Sequence, residues 1–472
     1  MSIQIYNSLT KTKEEFIPCN PPTVKMYCCG VTVYDVCHLG HARSLYIFDV
    51  IRRYLKYRGY DVQFIRNITD VDDKIIARAL ELRKTSDQVA VENIQAYRQD
   101  LKNLNVAEAD VEPRATENVA EMVKHIEALI QKGFAYVIGK DVYFSVRKFK
   151  DYGKLSGQSI DQMLEGVRIE PNSRKKDPLD FALWKESGDQ DPGWPSPWGR
   201  GRPGWHIECS VMSMKFLRTP TLDIHAGGRD LIFPHHENEI AQSEALTGKC
   251  FAKYWIHHGL LTINGQKMSK SLGNFVTVQD ALRKYPLEEL KWFFLLSHYA
   301  SPIDFSDEKM AEAHKSLERV KILLTREKAA VNQLIETSPV KRQPEGKFID
   351  DHKERFLKAM DDDFNTPAAI GQLFDLVNQT HKFIDTSRKD ATYFEVIDQA
   401  VDTIKTLVRD AFGISLEQKE ESLSAEEARL LTQRQAARQG KDFQRSDELR
   451  VLLKQRGIVV EDTKDGQIWR RG

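Results

Sequence analysis

The stretch Val24-Lys-Met-Tyr-Cys-Cys-Gly-Val-Thr-Val-Tyr-Asp-Val-Cys-His-Leu-Gly-His-Ala-Arg43 decides the fold. A short apolar run ends at Cys29-Gly30, and a loop follows. From His38 onward apolar residues recur at helical steps until Gly59, namely Leu45, Phe48, Ile51 and Leu55. The pattern predicts a strand, a loop and a helix, and Asp61 to Arg66 then completes a parallel strand–helix–strand unit.

The predicted helix start is rich in histidine and glycine. In a parallel α/β sheet, ligands bind beyond the carboxyl ends of the strands, where helix N-termini present free N–H groups to phosphate. His38 and His41 therefore predict two cationic or hydrogen-bonding groups aimed at a phosphate, and Gly40 lets a flat ring lie against the backbone. The alternative is that both histidines only cap the helix.

Length, charge and cysteine content set the broad class. A chain of 472 residues predicts three or more domains, and its net charge of 0 means that a nucleic-acid partner must be held by local basic patches. The N-terminus lacks a signal-peptide core and no apolar run is long enough to cross a bilayer, so we expect a cytoplasmic protein without a membrane partner. Six cysteines at irregular spacing disfavour a disulfide framework and favour reduced thiols or a metal site.

Composition changes along the chain predict its domain organisation. Residues 85–135 look helical, and a run of Gly, Pro and Trp at 191–205 excludes helix there. A second strand and turn follow at Thr221–Gly228, and a helix is expected between Pro234 and Gly248. From about 306 the pattern is helical, and Asp465-Gly466 near the end is a hairpin signal.

We therefore predict an α/β protein with a Rossmann-type nucleotide-binding catalytic domain that carries an insertion, followed by an α-helical bundle and a small mixed α/β C-terminal appendage. The predicted segments are 1–119 (Rossmann-type domain, first half), 120–203 (connective insertion), 204–260 (Rossmann-type domain, second half), 261–315 (region with the lysine loop), 316–420 (helical bundle) and 421–472 (C-terminal appendage).

Two further motifs are chemically suggestive. Gly265-Gln-Lys-Met-Ser-Lys-Ser-Leu-Gly273 places Lys267 and Lys270 in a loop that can close over a polyphosphate, although such loops are often only solvated surface. His235 and Glu239 are four residues apart at a predicted helix start, so both point to one face and can bind a metal. His236 with Glu239 is a competing pair, and a helix terminus capped by its own polar residues is the alternative to a metal site.

Together these motifs resemble a known family. His38-Leu-Gly-His41 with Lys267-Met-Ser-Lys-Ser271 resembles the paired signatures of class I aminoacyl-tRNA synthetases. Three segments are similar to the zinc-ligand segments of cysteinyl-tRNA synthetases, namely Met26-Tyr-Cys-Cys-Gly30, Gly204-Trp-His-Ile-Glu-Cys-Ser210 and Phe233-Pro-His-His-Glu-Asn-Glu239. The resemblance covers essentially the whole chain, including Asn67–Lys74 and Asp361–Pro367.

The resemblance implies a metal site and a specificity mechanism. Matched residue by residue, the zinc ligands are Cys29, Cys209, His235 and Glu239, with one Zn²⁺ per chain. Zinc would bind the thiolate of L-cysteine and so exclude serine, which is why we expect no editing domain. The family usually has an aliphatic residue at Cys28, and side chains alternate along a strand, so we expect Cys28 to be a buried, inert thiol.

The resemblance also assigns the reactants. His38, Gly40 and His41 would hold ATP, and Lys270, supported by Lys267, would close over the pyrophosphate. ATP would bring its own Mg²⁺ without a dedicated protein cage. We expect Trp205 to pack over the amino acid, with Thr32 and Asp230 at its amino group, while His206 and His225 line the floor of the site or belong to the core.

The resemblance also implies a tRNA partner, tRNA(Cys). Residues 261–315 would contact its stem, the bundle at 316–420 would bind it, and the appendage at 421–472 would recognise its anticodon. Four basic and aromatic residues suit phosphate contact and base stacking, namely Arg445, Trp469, Arg470 and Arg471, with a charged surface helix as the alternative. We expect a monomer. Two rival functions are a related cysteine ligase that uses an amino-sugar acceptor, which needs no tRNA-binding tail, and a zinc-stabilised RNA-binding module without catalysis, which needs neither histidine nor lysine signature.

Overall fold

The computed structural model describes residues 2–160, 162–163, 175–270, 272–331, 346–387, 391–416, 423–463 and 466–471. Ser271 of the lysine loop and Asp465 of the hairpin signal lie outside these residues. The chain forms two compact units. The first contains Met1–Met310, Lys358–Pro367 and Ala411–Gly413, and the second contains Ala311–Leu357, Ala368–Asp410 and Ile414–Gly472.

The first unit contains thirteen strands and eight helices among the described residues. Its strands are β1 (Gln4–Asn7), β2 (Thr12–Glu15), β3 (Thr23–Thr32), β4 (Asp61–Thr69), β5 (Ala135–Ile138), β6 (Asp141–Phe144), β7 (Phe181–Glu186), β8 (Gly201–Pro203), β9 (Leu222–Gly228), β10 (Ala252–His258), β11 (Leu261–Ile263), β12 (Gln266–Lys267) and β13 (Ile303–Phe305). Its helices are α1 (Leu39–Tyr57), α2 (Asp73–Leu82), α3 (Ser86–Asn103), α4 (Val119–Gln131), α5 (Trp205–Leu217), α6 (Glu237–Thr247), α7 (Val278–Lys284) and α8 (Leu287–Leu295).

A four-stranded parallel sheet in the order β10-β9-β3-β4 forms the centre of this unit. β9 is buried along its whole length, as expected for a strand covered on both faces, and β3 is buried at its centre from Met26 to Cys28. The residues between β4 and α5 include a four-stranded antiparallel sheet in the order β5-β6-β7-β8. The prediction of a parallel nucleotide-binding fold with an inserted segment is confirmed, while the predicted segment bounds remain predictions.

The expectation that residues 85–135 are helical is wrong for the middle of that range. Helices α3 and α4 are separated by a segment that runs along the open edge of β4. There the Ile68 N–H donates to the Pro113 carbonyl at 2.9 Å, and Asp110 accepts from the Phe64 N–H at 2.6 Å. Pro113 ends helical periodicity because it lacks an N–H, and the strand edge then provides hydrogen-bond partners.

Helices dominate the second unit. Its elements begin with α9 (Asp307–Val331), whose first residues lie in the first unit, and continue with α10 (Lys347–Asp361), α11 (Thr366–Thr386), α12 (Ala391–Phe412), α13 (Ala425–Gln439), α14 (Phe443–Gln455), β14 (Ile458–Thr463) and β15 (Gly466–Arg471). The predicted apolar face of α9 is buried, namely Ala313, Leu317, Val320 and Leu324. The predicted C-terminal hairpin is the antiparallel pair β14–β15, and the α/β appendage is confirmed.

Small apolar contacts hold the appendage together. Leu431 and Leu453 of its two helices pack with Ile458 and Val460 of β14, and Trp469 adds partly buried surface.

Among the described residues, no helix of the protein combines the length and apolar character needed to cross a lipid bilayer.

Candidate active site

A cleft of about 470 Å³ opens at the carboxyl ends of the parallel strands. This is the edge where α/β sheets bind ligands, because strand ends and helix N-termini meet there. Eight of the residues that the sequence assigns to binding or catalysis line it, namely Cys29, Thr32, His38, Gly40, His41, Trp205, Asp230 and Lys267, and Cys28 lines it as well. The structure thus brings together residues that are up to 238 positions apart, from Cys29 to Lys267.

The two signature histidines form one hydrogen-bonded unit at the start of α1. His38 is the N-cap, and its Nδ1 accepts from the backbone N–H groups of Gly40 at 3.1 Å and His41 at 3.4 Å. The His41 Nδ1 in turn accepts from the His38 backbone N–H at 3.3 Å, and the two rings stack at 3.8 Å. Because both Nδ1 atoms accept, this network assigns the proton of each neutral ring to Nε2.

Burial keeps both rings neutral. It lowers the pKa of His38, and burial together with the neighbouring His38 and His258 lowers the pKa of His41 to about 3. The structure therefore favours hydrogen-bond donors over cations, and the capping alternative holds for His38 at the same time. The flat ring beside Gly40 is that of His38 itself, whose Cε1 would lie 2.8 Å from an added Cβ.

The lysine loop lies between β12 and α7. Asn274 fixes it from within, since its side chain accepts from the Ser269 N–H at 2.8 Å and donates to the Lys267 carbonyl at 3.1 Å. The Lys270 ammonium pairs with Asp35, in the loop between β3 and α1, and lies 5.2 Å from the centre of the Phe275 ring. The side chain of Lys270 remains 55% exposed, so it can exchange Asp35 for a bound anion at low cost.

Behind this cleft lies a buried cluster that can hold a metal. Cys29 comes from β3, Cys209 from α5, and His235 and Glu239 from the turn and first residues of α6. The two Sγ atoms are 3.8 Å apart, the Cys29 Sγ lies 3.5 Å from Glu239 Oε1, and His235 Nε2 lies 3.0 Å from the same oxygen. Two thiols, one imidazole and one carboxylate are ligand types that zinc prefers.

A second set of donors shares two members with the first. It consists of Cys29, His225, His236 and Glu239. The His236 Nε2 lies 3.2 Å from the Cys29 Sγ, while the His225 Nε2 is 2.8 Å from Glu239 Oε2. The competing pair of His236 with Glu239 therefore stays geometrically open.

The donor types favour the first set. It offers two thiols, those of Cys29 and Cys209, whereas the second set offers one. The contacts with Glu239 do not separate the sets, because the His235 Nε2 lies 3.0 Å from Oε1 and the His225 Nε2 lies 2.8 Å from Oε2. The Nδ1 atoms of His235 and His206 lie 2.9 Å apart, so His206 orients the His235 ring as an outer partner of a metal ligand does. Trp205 stacks on His235 with ring centres 4.1 Å apart.

The charges inside the cluster depend on each other. Although burial raises the pKa of Glu239, His225 and His235 lower it to about 2. Burial opposes protonation of His235, but Glu239 and Cys209 raise its pKa to about 10. Burial also raises the pKa of the Cys209 thiol, but hydrogen bonds with Cys29 and His235 lower it to about 6. The proton on His235 thus faces negative charge on Glu239 and Cys209, and a divalent cation among these donors would take over its role.

Cys28 lies apart from both donor sets. It is buried, its Sγ contacts the Cys29 carbonyl at 3.5 Å, and burial raises the pKa of its thiol to about 12. The structure therefore places Cys29, and not Cys28, in the cluster. All six cysteines are free thiols.

Sequence reasoning overlooked the histidines at the end of β10. His257 Nε2 lies 2.8 Å from His236 Nδ1, and His258 lines the cleft. Adjacent histidines at the carboxyl end of a buried strand are the signal that would have identified them, because this end of a parallel strand faces the ligand.

The predicted tRNA contacts are only partly described. Arg445 is exposed and pairs with Glu448 at 2.9 Å, and Trp469 packs on the small core of the appendage. The side chains of Arg470 and Arg471 lie outside the described part of the structure.

Comparisons with known proteins identify the family of the chain. Three family models match the chain: "tRNA synthetases class I (C) catalytic domain" at residues 15–315, "DALR domain" at 355–417 and "Cysteinyl-tRNA ligase anticodon binding domain" at 420–470. The cysteine–tRNA ligase of Halalkalibacterium halodurans is 49% identical over 473 residues, and that of Persephonella marina is 47% identical over 497 residues. In both pairs the match covers 100% of each chain.

Solved structures agree on the fold. The methionyl-tRNA synthetase of Mycobacterium tuberculosis in complex with methionyl-adenylate superposes with a TM-score of 0.66 at 16% identity, covering 84% of this chain and 92% of the other. A putative arginyl-tRNA synthetase from Campylobacter jejuni gives 0.59 at 13% identity, covering 84% and 94%. The class I fold is thus confirmed, and with the full-length sequence matches it follows that the chain belongs to the cysteine–tRNA ligases, a family of class I aminoacyl-tRNA synthetases.

Proposed function

We propose that this enzyme attaches L-cysteine to tRNA(Cys) in two steps. The carboxylate of cysteine attacks the α-phosphorus of ATP, so that pyrophosphate leaves and cysteinyl-adenylate forms. A hydroxyl of the terminal adenosine of tRNA then attacks the activated carbonyl, and AMP leaves. The observation that carries the proposal is that Cys29 belongs to the metal cluster and lines the same cleft as His38 and His41.

The signature residues would act on the phosphates of ATP. His38 and His41 direct neutral Nε2–H donors at them, because the Nδ1 atoms are engaged by the backbone. Lys267 lines the cleft, and Lys270 closes over the leaving pyrophosphate once it releases Asp35. Fixed donors of this kind stabilise the charge that develops in the transition state without having to reorganise. Mg²⁺ would arrive with ATP, held mainly by the phosphate oxygens.

The cluster would select the amino acid. One Zn²⁺ per chain, held by Cys29, Cys209, His235 and Glu239, supplies a Lewis acid that prefers the thiolate of cysteine to the hydroxyl of serine. By analogy with sites that lose a required polar contact, serine is disfavoured on the order of 10⁴-fold. Cys29 lines the cleft, so a metal held by the cluster would be accessible to the amino acid from that side.

The remaining side chains would position the amino acid. Thr32 and Asp230 line the cleft and are assigned to the substrate ammonium. Trp205, which is stacked on His235, covers the substrate, and His206 and His225 support the ligands from behind. Trp205 is partly buried and lines the cleft, which supports this role.

We assign catalysis to residues 1–119 and 204–260, and tRNA binding to the bundle at 316–420 and the appendage at 421–472. Support comes from the anticodon-binding family model, which matches residues 420–470. A ligase for amino-sugars has no use for such a domain, and a non-catalytic RNA-binding module has no use for the cleft. We propose a monomer.

Cysteine-dependent exchange between ATP and pyrophosphate tests the first step, and transfer to tRNA(Cys) tests the second. We expect both, with exchange supported by cysteine and not by serine at equal concentration. Lack of exchange contradicts the adenylation proposal. Exchange without tRNA charging supports the amino-sugar ligase instead.

A further inference from the structure

We propose that Arg43, Tyr299 and Asp363 are positioning residues that hold one wall of the cleft, formed by Gly259 and Leu260, in the conformation that binds ATP. This inference rests on the proposed function, since it takes the cleft to be the ATP site. None of the three is assigned to the reacting atoms. Arg43 itself lines the cleft, but its four hydrogen bonds all go to backbone carbonyls, so we assign it a role in holding the main chain of the wall.

Arg43 follows His41 by two residues on α1, and its side chain is buried. Its guanidinium donates to four backbone carbonyls. Two belong to the wall, Gly259 at 2.7 Å and Leu260 at 2.9 Å. The other two follow α8, Tyr299 at 3.2 Å and Ser301 at 2.6 Å. A planar fork of five N–H donors can hold two chain segments at once in this way, and a lysine cannot.

The wall is packed closely against the segment that follows α8. The Gly259 N–H donates to the Tyr299 carbonyl at 2.9 Å. This carbonyl also accepts from the Arg43 guanidinium. A Cβ on Gly259 would lie 2.2 Å from the Ser301 carbonyl oxygen, so only glycine fits there. Leu260 leads directly into β11, which pairs with the β12 strand that carries Lys267. A shift of the wall would therefore move Lys267 too.

Tyr299 is anchored from the other side by the turn between α10 and α11. Its hydroxyl donates to the Asp363 carboxylate at 2.7 Å, and both side chains are buried. The same carboxylate accepts from the Tyr6 N–H at 2.9 Å, and the Asp363 N–H donates to the Gln4 carbonyl at 2.9 Å. These contacts tie Tyr299 to the edge strand β1 as well as to the turn.

The turn itself has a backbone that needs such support. Asp363 and Phe364 have φ values of +62° and +52°, in the left-handed region that non-glycine residues seldom adopt. Such a conformation is unfavourable for a residue with a Cβ and persists only where the surroundings determine it. The proposed chemistry gives the Asp361–Pro367 motif no role. Its role in this inference is to hold Tyr299 in place and, through Tyr299, the wall.

The test is ATP–pyrophosphate exchange by the full-length, metal-loaded enzyme, with ATP and cysteine varied separately. Arg43→Lys keeps the charge but cannot span both segments, so we expect KM for ATP to rise about tenfold while KM for cysteine stays within about twofold. Arg53→Lys is the matched control, because it lies on the same helix and pairs with Asp49. It should leave both constants unchanged.

Asp363 offers a conservative rescue. Asp363→Asn retains an oxygen that accepts from Tyr299 and should behave like the wild type, whereas Asp363→Ala and Tyr299→Phe should each raise KM for ATP about threefold. A merely structural role predicts a different result. It would lower the active fraction, and therefore the apparent kcat, in all variants with both KM values unchanged, and that pattern overturns the proposal.

Equilibrium binding of Mg–ATP, measured by calorimetry in the absence of cysteine, separates this inference from the proposed function. Weaker ATP binding by Arg43→Lys supports the positioning role even where the wild type shows no cysteine-dependent exchange, a result that would contradict only the proposed function. Unchanged ATP affinity in Arg43→Lys overturns the positioning role whatever the exchange assay gives.

Discussion

Cys29→Ser should abolish metal binding, whereas Cys28→Ser should preserve it. The two cysteines are neighbours in β3, but only Cys29 lies within 4 Å of other donors, with its Sγ 3.8 Å from that of Cys209 and 3.5 Å from Glu239 Oε1. The Cys28 thiol instead contacts the Cys29 carbonyl. A serine at 28 keeps that contact, and a serine at 29 removes a soft donor from the cluster.

The size of the effect follows from the position of Cys29 in the cluster. Outer partners of metal ligands are worth about 10- to 100-fold in affinity, and Cys29 is a direct donor in both candidate sets. Its loss should therefore weaken zinc binding by at least about 100-fold, or roughly 2.7 kcal/mol. Loss of the buried Cys28 sulfur should cost on the order of 1 kcal/mol in stability without changing zinc affinity.

Zinc content per chain after dialysis against a weak chelator, with a competition titration for the affinity, measures both outcomes. His235→Ala and His236→Ala in the same assay decide between the two donor sets, and we expect the larger loss from His235→Ala. If Cys28→Ser loses zinc while Cys29→Ser keeps it, the assignment of the Cys29 side chain to the metal cluster is wrong. If His236→Ala alone loses zinc, the second donor set holds the metal.

Three further predictions concern the cleft and its framework. Lys270→Ala should lower kcat for ATP–pyrophosphate exchange about 100-fold with KM for cysteine unchanged, since it removes one donor to the leaving group; an effect confined to cysteine binding would contradict this role. Because the pKa values of His38 and His41 are lowered, both side chains are neutral above pH 6.5. KM for Mg–ATP should therefore vary less than about twofold between pH 6.5 and 8.5. If the histidines were cationic, the affinity for ATP would fall as the pH rises through their ordinary pKa, and this result would contradict the prediction. Gly30→Ala should destabilise the protein by on the order of 3 kcal/mol or more, because the added Cβ would lie 1.5 Å from the Asn67 carbonyl oxygen. We expect this loss as a lowered Tm, and an unchanged Tm would refute the strand geometry at Gly30.

The start of the chain was predictable because local signals agree with each other. The apolar run before Gly30, the polar loop and the 3.6-residue period after His38 all favour one arrangement, and β3, the loop and α1 follow it. The segment between α3 and α4 shows the limit of such reasoning. Its strand-like pairing depends on the open edge of β4, which no local pattern of residues 104–118 reveals.

The metal site was predictable as a composition and not as a geometry. Helical spacing places both His235 and His236 near Glu239, and the structure keeps each within reach. What favours His235 is that its donor set includes a second thiol, Cys209, which comes from a different helix. Such contacts between distant segments are set by packing, so spacing alone could not rank the two histidines.

The choice between Cys28 and Cys29 depends on an irregularity in β3. The register with β4 shifts between Cys28 and Val31, so β3 holds one extra residue there, a β-bulge of the kind that redirects side chains beside active sites. The Gly30 N–H donates at 2.8 Å to the side chain of Asn67, whose oxygen also lies 3.7 Å from the Cys209 Sγ. One amide thus fixes the bulge and contacts a metal-ligand thiol.

This arrangement explains why one strand end can serve both parts of the site. Before the bulge, the Tyr27 ring packs edge-on against His225 at 5.4 Å. Cys29 is the first residue of the bulge, and its Sγ joins the same group of donors, 3.2 Å from His236 Nε2. After the bulge, the chain resumes pairing with Thr32 at the cleft and reaches the His38 cap six residues later. Without the extra residue, every side chain beyond Gly30 would change face, and the metal and phosphate sites would no longer open into one cleft.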